Sequence, residues 1–438
     1  MRMRLAAAAA SLLLLITPAF AAGDDLAALR AELEQTKALV QKLETRLAAV
    51  EAAATPATPT EVAPASEAVA ATPGGGGSSA NAFNPAISVV LEGSYNAYSR
   101  NPDDAVISGF VLGDDAGLPN AGFSLGESEI NLSANIDQTF YGSLTTALAD
   151  DGEGGTEISL EEAFIETLAL PYGAKIKAGR MFPVLGYLNE IHAHADAFVD
   201  RPLPYLAYFG GDNYVDDGLQ LSVLLPTDLY AEVGGGAFRG TGFPAAGSAN
   251  SGNGSQTLFA RIGGDIGASQ SWLAGVSYLH ANAVDRDNGD LTFNGVSDVY
   301  IADGKYTWSP NGNLANEFLV LQGEYFWGRN DGTYNDLNYN ESSGGWYAQA
   351  VYKFHPQWKV GYRLSRMNAP GVPAAFIGTA LDNDGHDPLT QSVLLEFDNS
   401  EFSSLRLQYT RDDSGPLADN VGVLLYTISM GAHGAHKY

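Results

Sequence analysis

From Phe83 to Tyr438 apolar and polar residues alternate with a period of two. The clearest run is Ser128 to Asp137, where Ile130, Leu132, Ala134 and Ile136 alternate with Glu129, Asn131, Ser133 and Asn135. Leu219, Leu221 and Val223 repeat the pattern, as do Trp358, Val360, Tyr362 and Leu364, and Leu405, Leu407 and Tyr409. Successive side chains of a strand point to opposite faces, so each run predicts a strand with one apolar and one polar face. Sixteen such segments start near residues 86, 124, 140, 157, 174, 217, 228, 257, 272, 297, 315, 345, 358, 390, 402 and 421.

The connections alternate in length. Short ones include Asp137-Gln138-Thr139, Pro226-Thr227 and His355-Pro356-Gln357. Between them lie long loops at 100–122, 181–215, 238–256, 283–296, 329–344, 367–389 and 411–420. Short turns on one side and long loops on the other predict an all-β fold, a 16-stranded antiparallel transmembrane β-barrel over 84–438. A soluble β-sandwich also alternates, but its outer face is not aromatic at both ends of a strand. Here Trp272 and Tyr278, Tyr300 and Trp308, Phe318 and Phe326, Trp346 and Phe354, and Trp358 and Tyr362 are same-face pairs. They read as two aromatic girdles around a hydrocarbon band. Tyr438 ends the last strand in phase with Tyr426 and Met430, like the terminal aromatic that marks bacterial outer-membrane proteins for assembly.

The start of the chain has a different pattern. Arg2 and Arg4 precede the apolar run Leu5 to Ile16 and an Ala19-Phe20-Ala21 cleavage site, so 1–21 reads as a signal peptide. Residues 22–54 carry heptads, with Leu26, Leu33, Val40 and Leu47 at one seam position and Leu29, Leu43 and Val50 at the other. They predict a periplasmic coiled-coil helix. Residues 55–83 form a Pro/Ala/Gly-rich linker that needs no fold.

Composition and charge narrow the function. The chain has 438 residues, no cysteine, and 51 acids against 23 bases. So acidic a chain makes a poor nucleic-acid partner, and no disulfide framework exists. The expected partners are outer-membrane lipid and lipopolysaccharide, and small solutes or ions. No nucleophile-and-base signature or phosphate loop supports an enzyme, and no organic cofactor is expected.

Sixteen strands enclose an aqueous channel unless something fills it. The candidate is loop 3, residues 182–215, rich in apolar residues that a solvated loop does not need. The run Ala178-Gly179-Arg180-Met181-Phe182-Pro183-Val184-Leu185-Gly186, followed by Phe198-Val199-Asp200-Arg201-Pro202-Leu203-Pro204-Tyr205, resembles the phosphate-selective porin O and P family. The ending Gly431-Ala432-His433-Gly434-Ala435-His436 is similar to outer-membrane proteins labelled zinc-regulated receptors. The resemblance implies a trimeric 16-stranded barrel with an inward loop 3.

The charges depart from a phosphate-selective pattern, which needs a ladder of cations. Lumen-phase acids (Glu92, Glu129, Glu162, Glu166, Glu324, Glu396) at least equal the bases (Arg261, Lys305, Lys353, Lys359, Arg363, Arg406). Acids dominate the first four strands and bases the twelfth to fifteenth, which would set a transverse field. The expected constriction residues are Glu190, Asp196, Asp200 and Arg201 on loop 3, with Glu92, Glu129, Lys359, Arg363 and Arg406 on the wall. His192 and His194 stand two apart on loop 3, so a Zn²⁺ ion with Glu190 or Asp196 is a candidate. The expected function is cation-biased diffusion of small hydrophilic solutes. The alternatives are a zinc-uptake receptor or channel, and a tether from outer membrane to cell wall.

Overall fold

A computed structural model describes residues 85–431 apart from 114–116, 151–154, 212, 246–251 and 289–290. The signal peptide, the coiled coil, the linker, and His433, His436 and Tyr438 lie outside the described residues. Sixteen antiparallel strands close on themselves. They are β1 (Ala86–Tyr98), β2 (Gly122–Leu125 and Ser128–Asn135), β3 (Phe140–Asp150), β4 (Thr156–Thr167), β5 (Ala174–Met181), β6 (Asp216–Leu224), β7 (Tyr230–Phe238) and β8 (Ser255–Ile266). The series continues with β9 (Gln270–Asn288), β10 (Leu291–Trp308), β11 (Phe318–Tyr334), β12 (Leu337–His355), β13 (Trp358–Asn368), β14 (Leu389–Ser400), β15 (Ser403–Asp413) and β16 (Asp419–Gly431). Both halves of β2 pair with β1, and the break between them is spanned by the Gly126 N–H donating to the Glu92 carbonyl at 3.1 Å. β1 pairs with β16 from Ser88↔Gly431 to Tyr98↔Val421, which closes the ring.

Closure leaves no open sheet edge, and the alternation sorts side chains. Leu91, Tyr95, Leu221, Val276, Tyr300 and Tyr426 lie outside and exposed, while Glu92, Asn96, Gln220, Ser277 and Thr427 lie inside and buried. A continuous apolar outer wall of this kind is suited to hydrocarbon, not to water.

Three expectations change. Phe318 and Phe326 are fully buried and face inward; Tyr325 and Trp327 are the outward aromatics of β11. The regions 283–296 and 329–344 are mostly strand rather than loop: β9–β10 and β11–β12 run 17 to 19 residues each. At about 3.3 Å per residue such strands exceed a hydrocarbon layer of about 30 Å, so these hairpins extend beyond it at the long-loop end. Asn335 and Asp336, both at positive φ, make the two-residue turn of the second hairpin.

Loop 3 folds into the barrel. Its residues 203–209 form a short helix, α1 (Leu203–Phe209), with Pro202 before it and Gly210 in the left-handed region after it. Leu185, Leu188, Tyr205 and Phe209 bury against Leu279, Val299, Phe326 and Tyr347 of the inner wall. Each such burial contributes roughly 1.5–3 kcal/mol, which is why this apolar loop leaves water for the wall.

Candidate functional site

Loop 3 is fastened to strands all around the lumen. The Val184 N–H donates to Gln220 Oε1 on β6 at 3.1 Å, and Gly186 N–H to Ser277 Oγ on β9 at 2.8 Å. The Leu203 N–H donates to Ser365 Oγ on β13 at 2.9 Å, and the Val199 N–H to Gln408 Oε1 on β15 at 3.0 Å. The Glu324 carboxylate on β11 accepts four donors: the Tyr187 and Leu188 N–H groups, each at 3.1 Å, and the hydroxyls of Tyr205 at 3.0 Å and Tyr347 at 2.7 Å. Gly186 sits at φ +65, and a Cβ there would lie 1.9 Å from Glu324 Oε2, so only glycine permits this approach. Burial first, and then the Glu324 charge, push the Tyr205 hydroxyl well above its ordinary pKa, so it remains a donor. Asn189 ties the two ends of the loop, donating to Pro183 O at 2.8 Å and Tyr214 O at 3.1 Å.

Two of the cavities in the interior lie on either side of the loop. One, of about 280 Å³, lies toward the long loops and reaches Asn96, Tyr98, Thr410 and Asp412. The other, of about 610 Å³, lies toward the short turns and reaches Lys353, Lys359, Glu396 and Arg406. Asp196 borders both.

The histidines meet acids other than those expected. His192 Nδ1 lies 3.2 Å from Glu129 Oε2 and 3.1 Å from Glu161 Oε2, and its Nε2 lies 3.3 Å from Glu162 Oε2. His194 Nδ1 is 2.6 Å from Glu129 Oε1. Burial by itself lowers the His192 pKa, but the hydrogen bonds to these three carboxylates outweigh it and hold the imidazole well above its ordinary value. The three carboxylates thus favour the protonated ring. The oxygen atoms of Glu129 and Glu161 and a nitrogen of His192 lie within 4.8 Å of one another, close enough to share one ion.

Glu190 and Asp196, the expected metal partners of the histidines, are ion-paired with arginines instead. Glu190 pairs with Arg261, and Asp196 Oδ2 accepts from Arg201 Nη1 at 2.9 Å. Both partners of the second pair are almost fully buried, so Arg201 and Asp196 brace the loop from inside. Asp200 accepts from Arg363 and, at 2.6 Å, from Gln408 Nε2; Arg363 also lies over the Phe198 ring, 4.6 Å from its centroid. The other wall residues have partners too. Lys359 pairs with Glu396 at 3.0 Å and Asp398 at 3.3 Å. Arg406 pairs with Glu396 at 3.4 Å and donates to the His194 carbonyl at 3.2 Å. Glu92 accepts from Thr427 Oγ1 at 2.7 Å. The bases of β12 to β15 thus interleave with carboxylates rather than forming a bare ladder.

Sequence reasoning placed Glu324 in the lumen without its anchoring role, and missed Glu161, Asn189 and Tyr205 as site residues. The parity of Phe326 with Glu324 was the one signal that could have found the anchor.

No protein-family model matches the chain. An uncharacterized protein of Aquifex aeolicus (strain VF5) is 27% identical over 398 residues, covering 82% of this chain and 81% of its own length. The outer membrane channel DcaP of Acinetobacter baumannii aligns with a TM-score of 0.51 at 10% identity, over 79% of this chain and 97% of that one. An anion-selective porin from Comamonas acidovorans aligns with a TM-score of 0.50 at 12% identity, over 79% and 99%. The fold is that of the outer-membrane porins.

Proposed function

We propose that this protein is an outer-membrane diffusion channel for small hydrophilic solutes and ions, narrowed by loop 3 and biased toward cations. The observation that carries the reading is the position of Asp196 and its neighbours, between two cavities inside a closed barrel. The cation bias rests on Glu92, Glu129, Glu161 and Glu162, gathered on β1, β2 and β4, where Lys177, 3.0 Å from Glu162, and the two histidines offset only part of the charge. It rests also on the pairing of Lys359 and Arg406 with Glu396, which cancels much of the opposing charge. Phosphate selectivity, which the family resemblance implies, fits poorly with bases so compensated. We take the working form as a homotrimer in outer-membrane lipid and lipopolysaccharide, with the helix of 22–54 in the periplasm. The test is the reversal potential across a KCl gradient in a planar bilayer: the reading expects potassium preference, and chloride preference contradicts it.

A second reading has its own observation, the grouping of Glu129, Glu161 and His192. Carboxylate and imidazole donors suit Zn²⁺, with His194, 2.6 Å from Glu129, a further nitrogen donor, and an ion there would join loop 3 to β2 and β4. Micromolar Zn²⁺ should then reduce conductance in the wild type and not in His192→Ala. Equal block of both would remove this site from the account.

A further inference from the structure

The lumen of a water-filled barrel is ordinarily polar, and the cavity toward the long loops departs from that. Val421, Val423 and Leu425 of β16 turn inward there: in register, Val423 stands opposite Asn96 and Leu425 opposite Ser94. Across the cavity, Phe198, Leu203 and Leu206 of loop 3 complete an apolar lining. Val421, Val423 and Leu206 are only half-buried, so the protein leaves apolar surface facing this space. The charges in the same wall are one-sided. Glu92, Glu127, Asp200 and Asp412 border it. Arg201 is the only basic side chain bordering it among the described residues, and it donates to Asp196. The cavity toward the short turns differs, bordered by Lys305, Lys353, Lys359 and Arg406 alongside its acids. Uncharged solutes gain no charge pairing from these carboxylates, and inorganic cations gain no apolar contact from the six apolar side chains; a cation with an apolar body gains both.

We infer that the 280 Å³ cavity is a binding site for small organic cations, an ammonium group carried on an apolar body. The inference rests on the channel reading above and names the solute class that the outer chamber retains. At about 30 Å³ of liquid volume per water, the space equals roughly nine waters, the size of a short alkyl or aryl amine. The ammonium would lie toward Asp412, since Arg363 already holds Asp200. The alkyl chain would lie between the β16 valines and α1.

The probes are n-hexylammonium, n-hexanoate and methylammonium, added from the long-loop side to single channels in KCl. Hexylammonium should reduce the potassium current at a concentration at least about tenfold lower than either of the others. Val423→Ser and Asp412→Asn, one removing apolar surface and one charge, should each raise its blocking concentration about fivefold. Equal potency of hexylammonium and hexanoate, or of hexylammonium and methylammonium, would overturn the inference, as would full potency in both variants. Failure of the channel reading looks different: no open-channel current in KCl before any probe is added, which would end both proposals.

Discussion

Tyr205 on loop 3 donates its hydroxyl to Glu324 on β11 at 3.0 Å, across 119 residues of sequence. The same carboxylate takes Tyr347 and two loop N–H groups, so one wall residue holds the neck and the helix of the loop together. Glu324→Ala leaves four donors without their acceptor. An unsatisfied buried group costs about 1–3 kcal/mol, so a loss of roughly 3 kcal/mol or more is expected. Thermal unfolding in detergent should show a lower midpoint, and single channels should show added current noise as the loop loosens. A variant with the wild-type midpoint and a quiet trace would mean that the aromatic cluster around Phe326 holds the loop by itself.

Glu92 and Glu129 lie on neighbouring strands of the acidic wall. Glu92→Gln combined with Glu129→Gln removes both charges with little change of shape. The reversal potential in a KCl gradient should move toward chloride, with the permeability ratio falling about threefold or more. No shift would place the selectivity elsewhere, at the acidic outer loops.

The heptads of 22–54 give a hydrophobic seam that no other segment of the chain is patterned to cover. Deleting 24–54 should weaken or slow trimer formation while leaving the barrel folded. Gel mobility of unheated samples and light scattering in mild detergent would show it. A full-length protein that is monomeric under those conditions contradicts the assembly proposal.

The strands were legible because lipid outside and water inside impose opposite demands on alternate residues. Beyond the hydrocarbon layer the contrast is lost on the outer face: the ends of β9 to β12 carry polar residues outside, while Leu291, Phe293, Tyr334 and Tyr339 turn inward and bury against Phe376 and Leu381, so these ends read as loops. Asn330, Asp331, Thr333, Asn338 and Asn340 show no apolar phase. Phe318 and Phe326 misled in the opposite way: an aromatic on an inward position suits a wall that receives an apolar loop, as Phe326 does under Tyr205, Tyr208 and Phe209. The apolar content of loop 3 announced its packing. Its partners were not legible, since Glu190 meets Arg261 and Asp200 meets Arg363 over long separations that no local pattern encodes.

The central claim is that loop 3 narrows a conducting pore, and single-channel conductance of a 188–197 deletion against the wild type tests it most directly. That segment contains His192, His194 and Asp196, which stand between the acids of β2 and β4 and the two cavities. In a barrel still folded by its heat-dependent gel shift, the deletion should raise conductance about twofold or more, because the narrowest section of a pore dominates its resistance. The same channels should lose any zinc block, since His192 and His194 go with the segment. Conductance unchanged from the wild type would contradict the account and place the limiting section of the pore outside loop 3.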